Sequence, residues 1–341
     1  MSQDLGQRFT TATGSEWYLS VDDQARLQAY LKQLEFLLPE EQVTVVAPAG
    51  EGNMNLTLRV FTNRRHFILK QSRPWVAKFP DLDAPVNRIA VEREYLTAVQ
   101  RDRRLAYHSP ELLRYDPDNF VLLLEDLGTE GDLTDIYRRD HRLLDGEIEQ
   151  LLQYAVALHG LEPGDDYPQN LALRQLNHAH IFDLPFRPDN GFPLDALQPG
   201  LARIARPLQE DERLRARAAE LGAIYLATDG SRLIHGDFYP GSFLRGEHGV
   251  YVIDGEFSFR GRPEFDLGVL LAHLLLSRAP EHQLKLLDSN YPKSADFDSS
   301  LVRDFAYVEV IRRLIGIAQL PLDLSLEERQ SLLGAARSRL V

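Results

Sequence analysis

The sequence predicts an α+β fold in two lobes, a small β-rich one followed by a larger, mostly helical one. Three observations carry that expectation. The chain has 341 residues, more than one growing hydrophobic core absorbs. Between Val43 and Lys70, short β-branched runs alternate apolar and polar residues. From Gly146 onward the apolar spacing becomes helical.

Residues 22–38 carry apolar positions at helical spacing and predict a helix. Val43–Val46, Leu56–Phe61 and Phe67–Lys70 read as three strands of a small antiparallel sheet. A flexible loop with Gly50, Gly52 and Asn53 joins the first two. Residues 73–86 hold three prolines and read as a loop; Asn87–Val99 reads as a helix. Phe120–Leu124 is a strand running into Glu125-Asp126-Leu127-Gly128, a natural hinge. That places the small lobe at 1–127 and the helical lobe at 128–341. In the second lobe, residues 146–161, 213–228, 265–277, 299–316 and 325–337 read as helices. The tract 178–200, with four prolines, reads as loop or substrate-facing insertion. This order suits a bilobal kinase-like protein, and another α+β arrangement fits it nearly as well.

The formal charge of −13, with no Lys/Arg block, speaks against a nucleic-acid surface. The chain has no cysteine, so disulfides, thiolate catalysis and Cys-ligated metals are excluded. The first twenty residues lack a basic patch followed by an apolar stretch, and no long uncharged apolar run occurs. No membrane partner is expected, and the cytoplasm is the default location.

The chemistry concentrates in Leu233-Ile-His-Gly-Asp-Phe-Tyr-Pro-Gly-Ser242 and Val252-Ile-Asp-Gly-Glu-Phe257. Three carboxylates, a hydroxyl and an imidazole flank two turns. Phosphoryl transfer needs such a set: one carboxylate to take a proton, others to hold magnesium. Asp237 follows the turn-permitting Gly236 and suits the base. His235 is a rival base, although a His before the Gly more often holds the loop by hydrogen bonds. The Ser242 hydroxyl either helps bind Mg²⁺ or fixes the loop. Asp254 and Glu256 follow a clean strand and supply hard oxygen ligands. Acids in turns commonly serve as caps, and each motif alone is weak. Seventeen residues apart, with a strand–turn–strand between them, they gain weight. Asp266 reads as a structural residue, an N-cap of the helix that follows, with orientation of the catalytic loop through hydrogen bonds as a second role.

Upstream, the loop of Gly50, Gly52, Asn53 and Asn55 can bring backbone N–H groups to phosphate oxygens, or it is a plain hairpin turn. It matches neither the P-loop nor the dinucleotide-binding pattern. A lone Lys at a strand end is as a rule solvated, yet strand alternation can aim Lys70 inward at a nucleotide. Its partner would be Glu92 or Glu94, and only one can face the sheet; Glu92 is preferred. Arg59, Arg64 and Arg65 read as solvated, Trp75 and Phe79 as packing residues.

The chain resembles the aminoglycoside phosphotransferase / choline kinase superfamily of protein-kinase-like enzymes, which show HGDxxxxN followed by IDxE or IDW. Within that set it is most similar to the 5-methylthioribose kinases. The resemblance rests on Gly52-Asn-Met-Asn-Leu56, Ile68-Leu-Lys-Gln-Ser-Arg-Pro-Trp-Val76, the 235–242 segment with Ser242 in place of Asn, Asp254-x-Glu256-Phe, and Val310-Ile-Arg-Arg-Leu-Ile-Gly-Ile-Ala318. It covers about residues 45 to 337. It implies that the 50–55 loop covers ATP, that Lys70 contacts phosphates and that Glu125 through Leu127 line the adenine. It implies Asp237 as base and Asp254 and Glu256 as magnesium ligands. Arg312 and Arg313, with His235, belong to the side of the accepting sugar. The implied reaction moves the γ-phosphoryl group of ATP to O1 of 5-methylthioribose, and a homodimer is implied as well. Phe238-Tyr-Pro240 departs from the Leu-His-Thr usual there, which leaves room for another pentose or polyol. A kinase of an aminoglycoside, choline-like or homoserine-like acceptor, and a nucleotide-binding protein without transfer activity, are the competing readings.

Overall fold

The computed structural model describes residues 2–50, 54–128 and 131–341, and the chain divides into two compact units, Met1–Gly131 and Asp132–Val341. The sequence reading sets the division after residue 127.

The first unit begins with α1 (Ser2–Thr13), which the sequence reading leaves out, and α2 (Gln24–Gln33). The Asp23 carboxylate caps α2 by accepting the Arg26 backbone N–H. Strands β1 (Val43–Pro48), β2 (Leu56–Thr62) and β3 (His66–Gln71) follow. The expected loop at 73–86 instead contains a small antiparallel pair, β4 (Trp75–Val76) and β5 (Phe79–Asp83). Trp75 is fully buried there with Arg8 over its ring, whereas Phe79 is 57% exposed and packs on little. Next come α3 (Arg88–Val99), α4 (Arg103–Ala106), β6 (Leu112–Asp116) and β7 (Val121–Leu124). The sequence reading misses α4 and β6.

The main sheet runs β1-β2-β3-β7-β6, antiparallel throughout. Alternation sorts its residues. Leu58, Val60, Phe67, Leu69, Val121 and Leu123 form one core with Leu27, Tyr30 and Leu31 of α2. Lys70, next in line to Leu69, therefore points to the opposite face. Arg59, expected to be solvated, instead forms a two-pronged bond with Asp126, at 2.8 and 3.0 Å. Asp126 also bonds His66, at 2.8 Å, so the segment after β7 is tied back to the sheet.

The second unit opens with α5 (Asp145–His159) and α6 (Leu171–His178). The tract expected to be loop continues as helical turns over Ala179–Phe186, then α7 (Leu194–Leu197). After it come α8 (Leu201–Gln209) and α9 (Glu212–Leu226). Arg174 of α6, buried beneath Phe259, closes the end of α9 by donating to the Tyr225 and Ala227 carbonyls. Strand β8 (Arg232–Ile234), the hairpin β9 (Phe243–Gly246) and β10 (Gly249–Val252), and β11 (Phe259–Gly261) follow. The unit ends with α10 (Pro263–Leu276), α11 (Glu281–Asn290), α12 (Ser299–Ile315) and α13 (Leu326–Leu340). Helix α10 is buried on nearly every side, as its run of apolar residues requires. At Gly268 it meets α12 so closely that a Cβ would stand 2.7 Å from that of Phe305. Among the described residues no helix is long and apolar enough to cross a membrane.

Candidate functional site

In the first unit, Lys70 and Glu92 meet. The Lys70 ammonium lies 2.7 Å from the Glu92 carboxylate, both side chains almost fully buried. Glu94 turns away and pairs with Arg93, as the angular divergence of i,i+2 positions on a helix demands. A buried pair of this kind holds a cation at a fixed point on the sheet at a net cost in desolvation, a placement suited to an anionic ligand. Gly50 takes the left-handed backbone at φ 75°; Gly52 and Asn53 lie outside the described residues. Asn55 is buried, and its side-chain oxygen accepts from Arg88 at 3.0 Å. Arg88 also donates to the Met54 and Arg73 carbonyls and so anchors the end of the glycine loop, a role the sequence reading does not find. At the end of β7, Glu125 and Glu111 exchange bonds: the Glu125 N–H donates to the Glu111 carbonyl, and the Glu111 N–H to the Glu125 carboxylate. Leu127 follows Asp126, half-buried.

In the second unit, β8 and β11 pair with Ile234 opposite Phe259. The loop leaving β8, 235–242, and the segment entering β11, 253–258, thus meet side by side. Asp266 decides the shape of the first. It is not the N-cap expected, because α10 begins at Pro263 after Arg262. From inside the first turn its fully buried carboxylate accepts the backbone N–H groups of His235 and Gly236, at 2.7 and 2.9 Å. It also lies 3.1 Å from His159. Gly236 has φ 80°, and a Cβ there would collide with the Phe257 carbonyl, so the turn admits no side chain.

His235 is fully buried, its Nε2 2.8 Å from the Ile253 carbonyl. Its Nδ1 accepts the Asp237 N–H at 3.3 Å. An Nδ1 that accepts leaves the proton on Nε2, and that Nε2–H donates to Ile253; this geometry suits a loop-holder better than a base. The Ser242 hydroxyl donates to the Asp237 carbonyl at 2.9 Å. Phe238 is fully buried, packed against His235, Tyr154 and Phe243, and pins the loop from beneath.

Asp237 itself keeps 22% of its side chain exposed. Burial pushes its carboxyl up to about 6, against the opposing pull of the Arg313 and Arg312 charges. Arg313 Nη2 lies 3.9 Å from its Oδ1, and the guanidinium covers the Tyr239 ring at 4.8 Å. Arg312 and Arg313 both project from α12 and are nearly buried. Both are held by Glu309, an acid the sequence reading passes over: Arg312 Nη1 at 3.1 Å and Arg313 Nε at 2.5 Å.

Asp254 and Glu256 sit on the second loop. Asp254 holds φ 64°, a left-handed conformation that Asp and Asn tolerate and most residues do not. Glu256 is buried. Asn170, itself left-handed, donates its side-chain N–H groups to the Glu256 and Ser258 carbonyls, at 2.8 and 3.2 Å. Tyr167 bonds Ser258 at 2.7 Å. These contacts fix the loop from behind and were not legible in the sequence. Two hard carboxylates on a rigid turn suit a magnesium ion that completes its shell with phosphate oxygens and water. Among the described residues there is no group of three or more His, Cys, Asp or Glu that could hold a metal ion.

The model of the phosphotransferase enzyme family matches residues 47–295. A methylthioribose kinase of Erwinia tasmaniensis is 30% identical over 249 residues, which span 67% of this chain and 59% of that protein. A methylthioribose kinase of Geobacillus sp. is 27% identical over 360 residues, 88% of this chain and 85% of that one. Among solved structures, the choline kinase LicA of Streptococcus pneumoniae aligns with a TM-score of 0.52 at 14% identity, covering 94% of this chain and 99% of that one. The ethanolamine kinase of Plasmodium vivax gives 0.55 at 13% identity, over 98% and 95%. At such identities the likeness is one of fold.

Proposed function

We propose, from the premise that this chain belongs to the phosphotransferase enzyme family, that it moves the γ-phosphoryl group of ATP to a hydroxyl of a small sugar-like metabolite, 5-methylthioribose at O1. The observation that carries transfer is Asp237: a partly exposed carboxylate with raised proton affinity, held on a loop by Asp266 and flanked by Arg313. Two curated relatives point to methylthioribose by their names.

In this reading Asp237 accepts the proton of the acceptor hydroxyl and orients its oxygen for in-line attack on the γ-phosphorus. The new P–O bond forms as the bond to the β–γ bridging oxygen breaks, ADP departs, and the proton stays on Asp237 until solvent removes it. Lys70, fixed by Glu92, binds nucleotide phosphate. Asp254 and Glu256 would hold magnesium, which supplies charge neutralisation to the phosphates when bound.

Charge balance supports a neutral acceptor. Arg312 and Arg313 are offset by Glu309 and Asp237 within contact distance. The set offers no surplus cation to an anionic acceptor and no surplus carboxylate to a cationic one.

ADP release measured over an acceptor panel tests the proposal. Methylthioribose is expected to give the highest kcat/KM. Turnover with choline, homoserine or an aminoglycoside alone would move the chain to another acceptor class, and nucleotide binding without any ADP release would end the kinase reading. Arg313→Ala is expected to raise the acceptor KM about 10- to 100-fold, the loss of a charge-assisted contact, with the ATP KM within about twofold. Equal small changes in both would remove Arg313 from the acceptor side.

The pH profile has a defined sign. The base form of Asp237 is needed, so kcat/KM falls as pH drops through about 6. Arg313 pulls that pKa down, so in Arg313→Ala the acid limb moves to higher pH. An acid limb below pH 5 in the unmodified protein would contradict the assignment.

A further inference from the structure

Helix α10 touches the catalytic loop through Asp266. Two turns on, at the i+7 position and hence on the same face, His273 touches something else. It is fully buried, and its Nε2 lies 3.4 Å from Glu309 on α12. Its Nδ1 lies 2.6 Å from the Tyr137 hydroxyl. The close approach of α10 and α12 at Gly268 makes the His273–Glu309 contact possible.

Protonation states follow from the surroundings. Burial drives the Tyr137 hydroxyl well above its ordinary range, with Arg313 opposing, so the hydroxyl keeps its proton and donates it to Nδ1. Burial likewise holds His273 down to about 4, with Glu309 opposing and the Arg313 and Arg312 charges adding to the depression. A neutral ring that accepts at Nδ1 carries its proton on Nε2, facing Glu309. Burial would raise Glu309, but Arg312 and Arg313 outweigh it and keep the group ionised. A run of polar contacts therefore leads from Tyr137 to Arg313: Tyr137 bonds His273, the His273 Nε2 approaches Glu309 at 3.4 Å without hydrogen-bond geometry, Glu309 bonds Arg313, and Arg313 stands against Asp237.

The two arginines differ in their dependence on this run. Arg312 has a second side-chain partner, Asn177, at 3.3 Å. Arg313 has a backbone carbonyl, that of Ala318, at 3.3 Å, and the Tyr239 ring; its shortest contact by far is Glu309.

We infer that Glu309, oriented by His273 and Tyr137, is a positioning residue that sets the Arg313 guanidinium against Asp237. The inference rests on the kinase reading above. Glu309 touches neither reactant. It acts through Arg313, and that dependence separates it from a residue that merely holds the helices together.

A double-mutant cycle tests this. Glu309→Gln keeps the shape and removes the charge. Alone it is expected to lower kcat/KM for the acceptor about 10-fold, no more than Arg313→Ala does, the cost of a misplaced neighbour of the acceptor. In an Arg313→Ala background the same change is expected to alter kcat/KM for the acceptor by no more than about twofold, since the coupling partner is gone. Equal losses in both backgrounds would overturn the inference and leave the kinase reading standing. Should Glu309→Gln not fold, Tyr137→Phe removes only the outermost link. It is expected to lower kcat/KM for the acceptor about threefold with the ATP KM unchanged, a modest effect of one hydrogen bond; an unchanged kcat/KM for the acceptor would overturn the inference. Nitrogen-15 NMR of the intact chain gives a readout independent of turnover. A neutral His273 protonated on Nε2 at pH 7 is expected; an imidazolium or an Nδ1–H ring would overturn the relay. A chain that releases no ADP with any acceptor removes the reaction on which the inference rests, and the NMR result then still reports on the relay by itself.

Discussion

Replacing Asp237 by Asn is expected to lower turnover about 10²- to 10⁴-fold, the range of a lost general base, with ATP affinity within about threefold. The substitution keeps size and shape and removes proton-accepting power. Asp237 sits beside Arg313 on a loop whose backbone is held by Asp266, so the Asn side chain has no reason to reposition the loop. The stability consequence separates chemistry from misfolding. Because the folded-state pKa of Asp237 is raised to about 6 from 3.8, the folded chain binds its proton more tightly than the unfolded chain. That linkage favours folding below pH 4 and is lost as pH rises to about 6 and beyond. At neutral pH the neutral Asn therefore leaves the Tm unchanged or raises it. Turnover and melting temperature measured on one preparation settle the matter. Full turnover, or a fall in Tm that accounts for the lost activity, would remove Asp237 from the base role.

The second large effect is expected at Asp254. Asn in its place keeps the left-handed backbone, which Asn and Asp both tolerate, and removes the negative oxygen. Turnover should fall about 10²-fold or more, since metal-borne charge stabilisation is worth several kcal/mol. The extra thermal shift that magnesium adds to ADP should vanish, with the Tm of the ligand-free chain unchanged. Ala at the same position should lose as much activity and also melt about 2–4 °C lower, because φ 64° strains a residue without that tolerance by about 1 kcal/mol. A magnesium-dependent shift that survives in the Asn variant would remove Asp254 as a ligand.

How far the sequence carries the fold depends on the length of the signal. Strands β1 to β3 and helix α3 are legible because alternation and helical spacing persist over several residues with Gly, Asn or Pro between them. The two-residue strand β4 and its partner β5 are too short to show a period, and the prolines of residues 73–86 mask them. Strand β6, interrupted by Arg114 and Asp116, carries too little alternation to be picked out until it pairs with β7. In the site, strand parity aims Lys70 inward and helix angle lets only one of Glu92 and Glu94 face the sheet, both local rules; the structure decides that it is Glu92. Asp266 shows the opposite case. Its place before an apolar helix suggests a cap first and a hold on the catalytic loop second, and the structure selects the second: its carboxylate bonds His235 and Gly236, about thirty residues away in the chain, a pairing that the docking of α10 creates.

The sequence by itself determined the α+β order of elements and the grouping of three carboxylates within residues 235–256, on which the proposed chemistry rests. Residue type and spacing are local properties, and those conclusions need nothing more. The tertiary structure alone decided which groups surround Asp237. Arg313 reaches it from α12, Glu309 holds Arg313, and His273 reaches Glu309 from α10 across the gap that Gly268 narrows. A carboxylate's proton affinity depends on burial and on charges within a few ångströms, whatever their separation along the chain. That is why the motif could be read from the string of residues, and the electrostatic setting that raises Asp237 could not.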